Sequence, residues 1–205
     1  MDGVTVYWPP GCTSCVRNRE FLGMHGEAPP PPQLEVPVLV ARLLALLDSA
    51  ARLTEQIPDT ALATRLAGGD RRHLDLAYHV SQVAVAFLDS ALGGRLTCEH
   101  FERTPPDHLR TAGDIARLMR SVSQALAVWW SANRTRLPAT LDTYYGVQPL
   151  HAVLEWTTWH VAQHARQLER LLRQRGIAPQ PPLAPFLFEG LPPSEDAWDE
   201  EVPLT

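Results

Sequence analysis

Apolar residues recur every three to four positions along most of the chain between residues 38 and 176, which is the period of an amphipathic α-helix. Four segments follow this pattern, with apolar stripes over residues 39–57, 76–91, 115–130 and 150–172. Helices that each carry one apolar face bury those faces most simply by packing together. The pattern therefore predicts an all-α fold built around a four-helix bundle.

Residues that start and stop helices lie at the expected ends of these segments. They are, in chain order, the helix-ending Pro58, the N-cap Asp70, the helix-ending Gly93, the N-cap Thr111 with Asp114 in a near capping box, the first-turn Pro149 and the terminal Gly176. The connection from Leu141 to Gly146 is predicted to be a loop. These signals divide the helical region into four elements joined by irregular connections.

His160 and His164 on the fourth helix point to metal chemistry. Their spacing of four residues places both imidazoles on one helical face, at the edge of the apolar stripe. Two histidines at this spacing can bind one metal ion. His79 lies on the apolar stripe of the second helix, so a third imidazole is directed into the same core. Three imidazoles are a common ligand set for a divalent transition metal with an open position; structural histidines paired inside the core are the alternative.

Other polar residues are placed where they could assist such a site. Gln82 lies three residues after His79, and Gln163 and Gln167 lie beside the histidine pair, so their amides could orient a metal ligand or a bound water. Tyr144 and Tyr145 precede the fourth helix and could reach the site as catalytic acids or hydrogen-bond donors. Packing of these two rings within their loop is the alternative.

Residues 1–27 follow a different pattern. Val4 to Tyr7 alternate as in a short strand, and a Pro-Pro-Gly turn leads to Cys12-Thr13-Ser14-Cys15 at the start of a predicted helix. A helix N-terminus lowers the pKa of a cysteine thiol there, so Cys12 and Cys15 are candidate redox residues. The stretch VTVYWPPGCTSCVRNREFL resembles the first strand, active-site loop and first helix of a glutaredoxin. Because the resemblance ends near residue 26, residues 1–27 are interpreted as a glutaredoxin-like remnant, either a truncated redox segment or a loosely docked arm.

Residues 28–37 form a Pro-rich linker, and residues 177–205 are a Pro-rich and acidic C-terminal tail.

The amino-acid composition excludes several classes of function. The net charge of −5 argues against a general nucleic-acid or anionic-membrane binder. All 18 basic residues are arginine, which excludes lysine Schiff-base and P-loop mechanisms. Three cysteines do not make a disulfide scaffold, and the sequence shows neither a signal peptide nor a long apolar run, so we expect a cytoplasmic protein.

With His79 and the His160/His164 pair on inward faces, residues 38–176 resemble the DinB-like (DinB/YfiT) four-helix-bundle metalloprotein superfamily. Its pattern is a histidine midway along the second helix and an HxxxH motif on the last; the matching segments are LAYH, which ends at His79, and TWHVAQHARQ, which covers residues 158–167 and contains His160 and His164. The resemblance implies an up-down-down-up bundle, a divalent metal such as zinc or nickel, and frequent homodimers. Relatives include enzymes that activate a low-molecular-weight thiol at the metal.

The leading hypothesis is a divalent-metal-dependent enzyme, a thiol-dependent transferase or isomerase, in which His79, His160 and His164 hold the metal and a small-molecule thiol or electrophile is the partner. The alternative is a non-enzymatic metal-binding or stress-associated bundle with a structural metal site and a redox-sensing CxxC arm. Neither hypothesis requires a nucleic-acid or membrane partner, and both are compatible with a homodimer.

Overall fold

The computed structural model describes residues 34–65 and 71–191, and this part of the chain is mostly helical. Its elements in chain order are α1 (Val36–Glu55), α2 (Asp59–Leu62), α3 (His73–Ala91), β1 (Arg95–Leu96), α4 (Glu99–Glu102), α5 (Ala112–Asn133), β2 (Thr140–Thr143), β3 (Gly146–Pro149), α6 (Leu150–Gln174) and a 3₁₀ turn (Pro185–Leu187). Among the described helices, none combines the length and the apolar character needed to cross a bilayer. The four long helices correspond to the four predicted segments.

The four long helices share one hydrophobic core. Helix α1 packs against α5 and α6, and α3 packs against the same two helices. The predicted apolar stripes are the buried faces, and Trp156 and Phe87 are the largest fully buried side chains. The Phe87 and Trp129 rings meet edge to face with centroids 5.3 Å apart, which joins α3 to α5 through aromatic packing. The pairing of α3 with α6 is the one that brings the candidate histidines together.

Several predicted helix ends agree with the structure, whereas Pro149, predicted in the first turn of the fourth helix, is the last residue of β3 and the N-cap of α6. The Asp114 backbone N–H donates to Thr111 Oγ1 (3.1 Å), and the Thr111 backbone N–H donates to Asp114 Oδ2 (2.9 Å), which completes a capping box at the start of α5. Gly176 follows α6 with φ of 72°, a left-handed conformation that favours glycine. The N-cap of α3 is Arg72, so the prediction of an N-cap at Asp70, which itself lies outside the described residues, is wrong.

A small three-stranded sheet corrects the prediction of a loop between Leu141 and Gly146. Strand β2 pairs in parallel with β1 and antiparallel with β3, so Tyr144 and Tyr145 form the two-residue turn of a hairpin. Gly146 follows this turn with φ of 106°, which a side chain would strain. The strands are short and Tyr-Tyr is not a typical turn pair, so the alternation signal is too weak to mark a hairpin in the sequence.

The chain after α6 packs back onto the helices as far as residue 191. Leu187 and Leu191 are buried, and the Arg166 guanidinium lies 3.9 Å from the centroid of the Phe188 ring. Gly190 fits against the side chain of Leu34, where a Cβ atom would lie 2.8 Å from a Leu34 methyl carbon. Both ends of the described chain therefore meet. The N-terminal arm with Cys12 and Cys15, most of the linker, and residues 192–205 lie outside the described residues.

Candidate metal centre

Three histidines converge between α3 and α6. His79 comes from the middle of α3, and His160 and His164 come from adjacent turns of α6. One ring nitrogen of each histidine lies within 4.8 Å of the corresponding nitrogens of the other two. The His79 and His160 Nε2 atoms are 3.5 Å apart. The structure thus brings together the three residues predicted as metal ligands, close enough to hold one ion.

One pair of nitrogens in the cluster has a spacing that suits a shared metal ion. Zn–N bonds are about 2.0–2.1 Å long, so two nitrogens of a tetrahedral site lie about 3.3 Å apart. The separation of 3.5 Å between His79 Nε2 and His160 Nε2 is close to that value. His164 Nε2 is buried and has no hydrogen-bond partner among the described residues. A bound cation would satisfy this nitrogen, which is otherwise costly to bury.

Gln167 fixes the tautomer of one of the three histidines. His164 Nδ1 lies 2.7 Å from Gln167 Oε1. Because an amide oxygen only accepts hydrogen bonds, Nδ1 carries the proton, and the lone pair of His164 is on Nε2. An outer hydrogen bond of this kind orients a metal-binding imidazole. The predicted supporting residue Gln167 is therefore in contact with the cluster.

Burial keeps the three imidazoles neutral. Desolvation lowers the pKa of His79 and of His160 well below 6.5, and it lowers the pKa of His164 to about 4. Repulsion between the rings acts in the same direction at His79 and His160, and the charge of Arg71 adds to it at all three. Metal binding requires neutral imidazole. The cluster is therefore in the ligating form at neutral pH without an energetic cost of deprotonation.

Aromatic rings surround the histidines. The Phe101 ring centroid lies 6.0 Å from those of both His79 and His160, and 5.5 Å from that of Trp156. Trp156 in turn lies 4.7 Å from His160. His160 Nδ1 and Trp156 Nε1 are buried without a hydrogen-bond partner in the described part of the chain. The place of Phe101 beside the histidines could not be predicted from the sequence, because Phe101 belongs to a helix of four residues between two predicted elements.

The remaining predicted site residues lie at different distances from the cluster. Gln82 and Gln163 are buried on the same helices as the histidines, and Gln82 Oε1 has no partner among the described residues. Tyr144 packs on Phe101 with ring centroids 6.5 Å apart, so it contacts one of the aromatic rings next to the histidines. Tyr145 packs on Tyr144, and burial raises the pKa of its phenol to about 12, so it remains protonated at neutral pH. Whether Tyr144 and Tyr145 act as proton donors remains a prediction.

Comparison with known proteins does not assign the sequence to a family. No family model matches the sequence, and no curated protein matches it significantly. The DinB-like and glutaredoxin-like resemblances therefore stay predictions, and the functional argument rests on the three histidines and their surroundings.

Proposed function

We propose that the protein binds a divalent transition metal through His79, His160 and His164, in a four-helix bundle of the DinB-like type, and that it acts as a metal-dependent enzyme. The observation that carries the proposal is the convergence of three neutral imidazoles within 4.8 Å between two packed helices. Zinc and nickel are the ions that suit imidazole ligands in the resembled family. When bound, such an ion supplies Lewis acidity that lowers the pKa of a water or a low-molecular-weight thiol.

Each residue of the site would have a separate task. The three imidazoles would hold the ion, and Gln167 holds the proton on His164 Nδ1, which leaves the lone pair of Nε2 available to bind it. Phe101 and Trp156 pack against His160 and form an apolar side of the cluster. Three protein ligands leave room for a fourth ligand, as in catalytic rather than structural zinc sites. A thiol-dependent transferase or isomerase is the activity that the family resemblance adds to this arrangement.

One observation favours a non-enzymatic metal site. His79 and His164 are only 6% and 8% exposed, so little of either imidazole is open to a substrate. In that case the ion would stabilise the helices, and thiols would not reach it. The two functions differ in whether an external ligand perturbs the bound metal.

Elemental analysis of the full-length protein tests the metal site. We expect about one transition-metal ion per chain after purification, since three imidazoles and one open position describe one site. The His160→Ala, His164→Ala double variant should lose the ion, whereas His108→Ala, which removes an exposed histidine, should keep it. Wild-type protein without metal, or a double variant that retains it, would contradict the proposal. Titration of a Co(II)-substituted sample with 2-mercaptoethanol then separates the two functions, because only an open site changes its visible spectrum.

A further inference from the structure

Phe101 covers one side of the histidine cluster. Its ring contacts His79 from α3 and His160 from α6, so it bridges the two helices that supply the ligands. Phe101 is itself partly exposed, whereas His79 and His164 are buried. Of the two histidines that the ring contacts, His79 is buried and His160 is half-buried, so the ring lies at the exposed edge of the cluster. Tyr144 packs on the same ring from the hairpin turn and extends the cover.

A hydrogen bond of the neighbouring residue His100 positions Phe101. His100, which is buried, places Nε2 2.9 Å from Asp89 Oδ2 near the end of α3. The other ring nitrogen of His100 accepts from the Thr97 backbone N–H at 3.1 Å. These contacts attach α4 to α3 at the residue next to Phe101. A helix of four residues has little stability of its own, so its place is set by such contacts.

We propose that Phe101 is the specificity-determining residue of the site and limits, by the position of its ring, which ligands reach the histidines. The inference rests on the proposed metal site for its functional meaning. Small donors such as imidazole or a short thiol pass the ring, and donors with a bulky group beside the metal-binding atom do not. The Asp89–His100 contact holds the ring in this position.

Chemical modification of the metal-free protein tests directly whether Phe101 limits access to the histidines. Diethyl pyrocarbonate transfers a carbethoxy group to a neutral imidazole nitrogen, with loss of ethanol and carbon dioxide, and mass spectrometry of peptides gives the rate at each histidine. Exposed His108 serves as an internal reference, and buried His73, which contacts the Ala61 carbonyl, reports general loosening of the structure. The variants are Phe101→Ala, Phe101→Leu, which retains bulk, and Asp89→Ala, which removes a half-exposed partner.

We expect Phe101→Ala and Asp89→Ala to raise the modification rates of His79 and His160, the two histidines that Phe101 contacts, about tenfold or more, the effect of removing a barrier to local access. His108 and His73 should react as in the wild type, and Phe101→Leu should give a smaller increase than Phe101→Ala. Unchanged rates at His79, His160 and His164 in Phe101→Ala would overturn the proposal. So would an equal increase at His73, because that would indicate unfolding rather than opening of a cover.

A second measurement addresses ligand size. With Co(II) bound, wild-type protein should bind imidazole at least about tenfold more tightly than 4-phenylimidazole, and Phe101→Ala should remove most of that difference, a change of about 1.4 kcal/mol. Equal discrimination in both proteins would contradict the role of Phe101. The modification rates need no metal, so failure of the metal site and failure of the cover give different results.

Discussion

His164 donates a hydrogen bond from Nδ1 to Gln167 Oε1 across 2.7 Å, one turn further along α6. The contact ties the orientation of a candidate metal ligand to a residue outside the three-histidine cluster. It also explains why His164 Nε2, which has no partner among the described residues, carries a lone pair.

Replacing Gln167 should weaken metal binding without removing a ligand. Gln167→Ala frees the His164 ring to rotate and to change tautomer, so we expect metal affinity to fall by about 10–100-fold. Competition with a chromophoric chelator measures the change. Gln167→Glu, which keeps an acceptor oxygen, should restore most of the affinity. Gln174→Ala, an exposed glutamine near the end of the same helix, is the matched control. Equal affinities in Gln167→Ala and wild type would show that the hydrogen bond does not support the site.

The stability of the metal-free protein should fall as the pH is lowered below 6.5. The unfolded chain takes up protons on its histidines near pH 6.5, whereas burial lowers the pKa of His164 in the folded state to about 4. The unfolded state therefore binds more protons between these two values, so the free energy of unfolding rises with pH across that window. Urea denaturation of chelator-treated protein at several pH values measures the slope. The His160→Ala, His164→Ala variant should give a shallower slope, and an unchanged slope would contradict the assignment.

The core between α3 and α5 should be sensitive to loss of an aromatic ring. Phe87 is fully buried and meets Trp129 edge to face. Phe87→Ala removes this contact and leaves a cavity, so we expect the free energy of unfolding to fall by about 3–5 kcal/mol. Val128→Ala on the exposed face of α5 should change it by less than about 0.5 kcal/mol. Chemical denaturation measures both, and similar values for the two variants would contradict the packing described here.

The sequence predicts the long helices and the three histidines because both depend on spacing within one helix. His160 and His164 share a face at any helical register, and the apolar stripes show which face is inward. Phe101 and the Asp89–His100 contact are different, since they depend on where a helix of four residues packs in three dimensions. The parallel pairing of β1 with β2 likewise joins residues far apart in the chain, and two-residue strands leave no alternation to detect.

Gly190 has a left-handed φ of 72° and lies directly against the side chain of Leu34, so the chain before α1 and the chain after α6 meet where there is no room for a Cβ atom. A larger residue at position 190 would have to displace Leu34, which means that the contact between the two ends of the described chain depends on a single glycine.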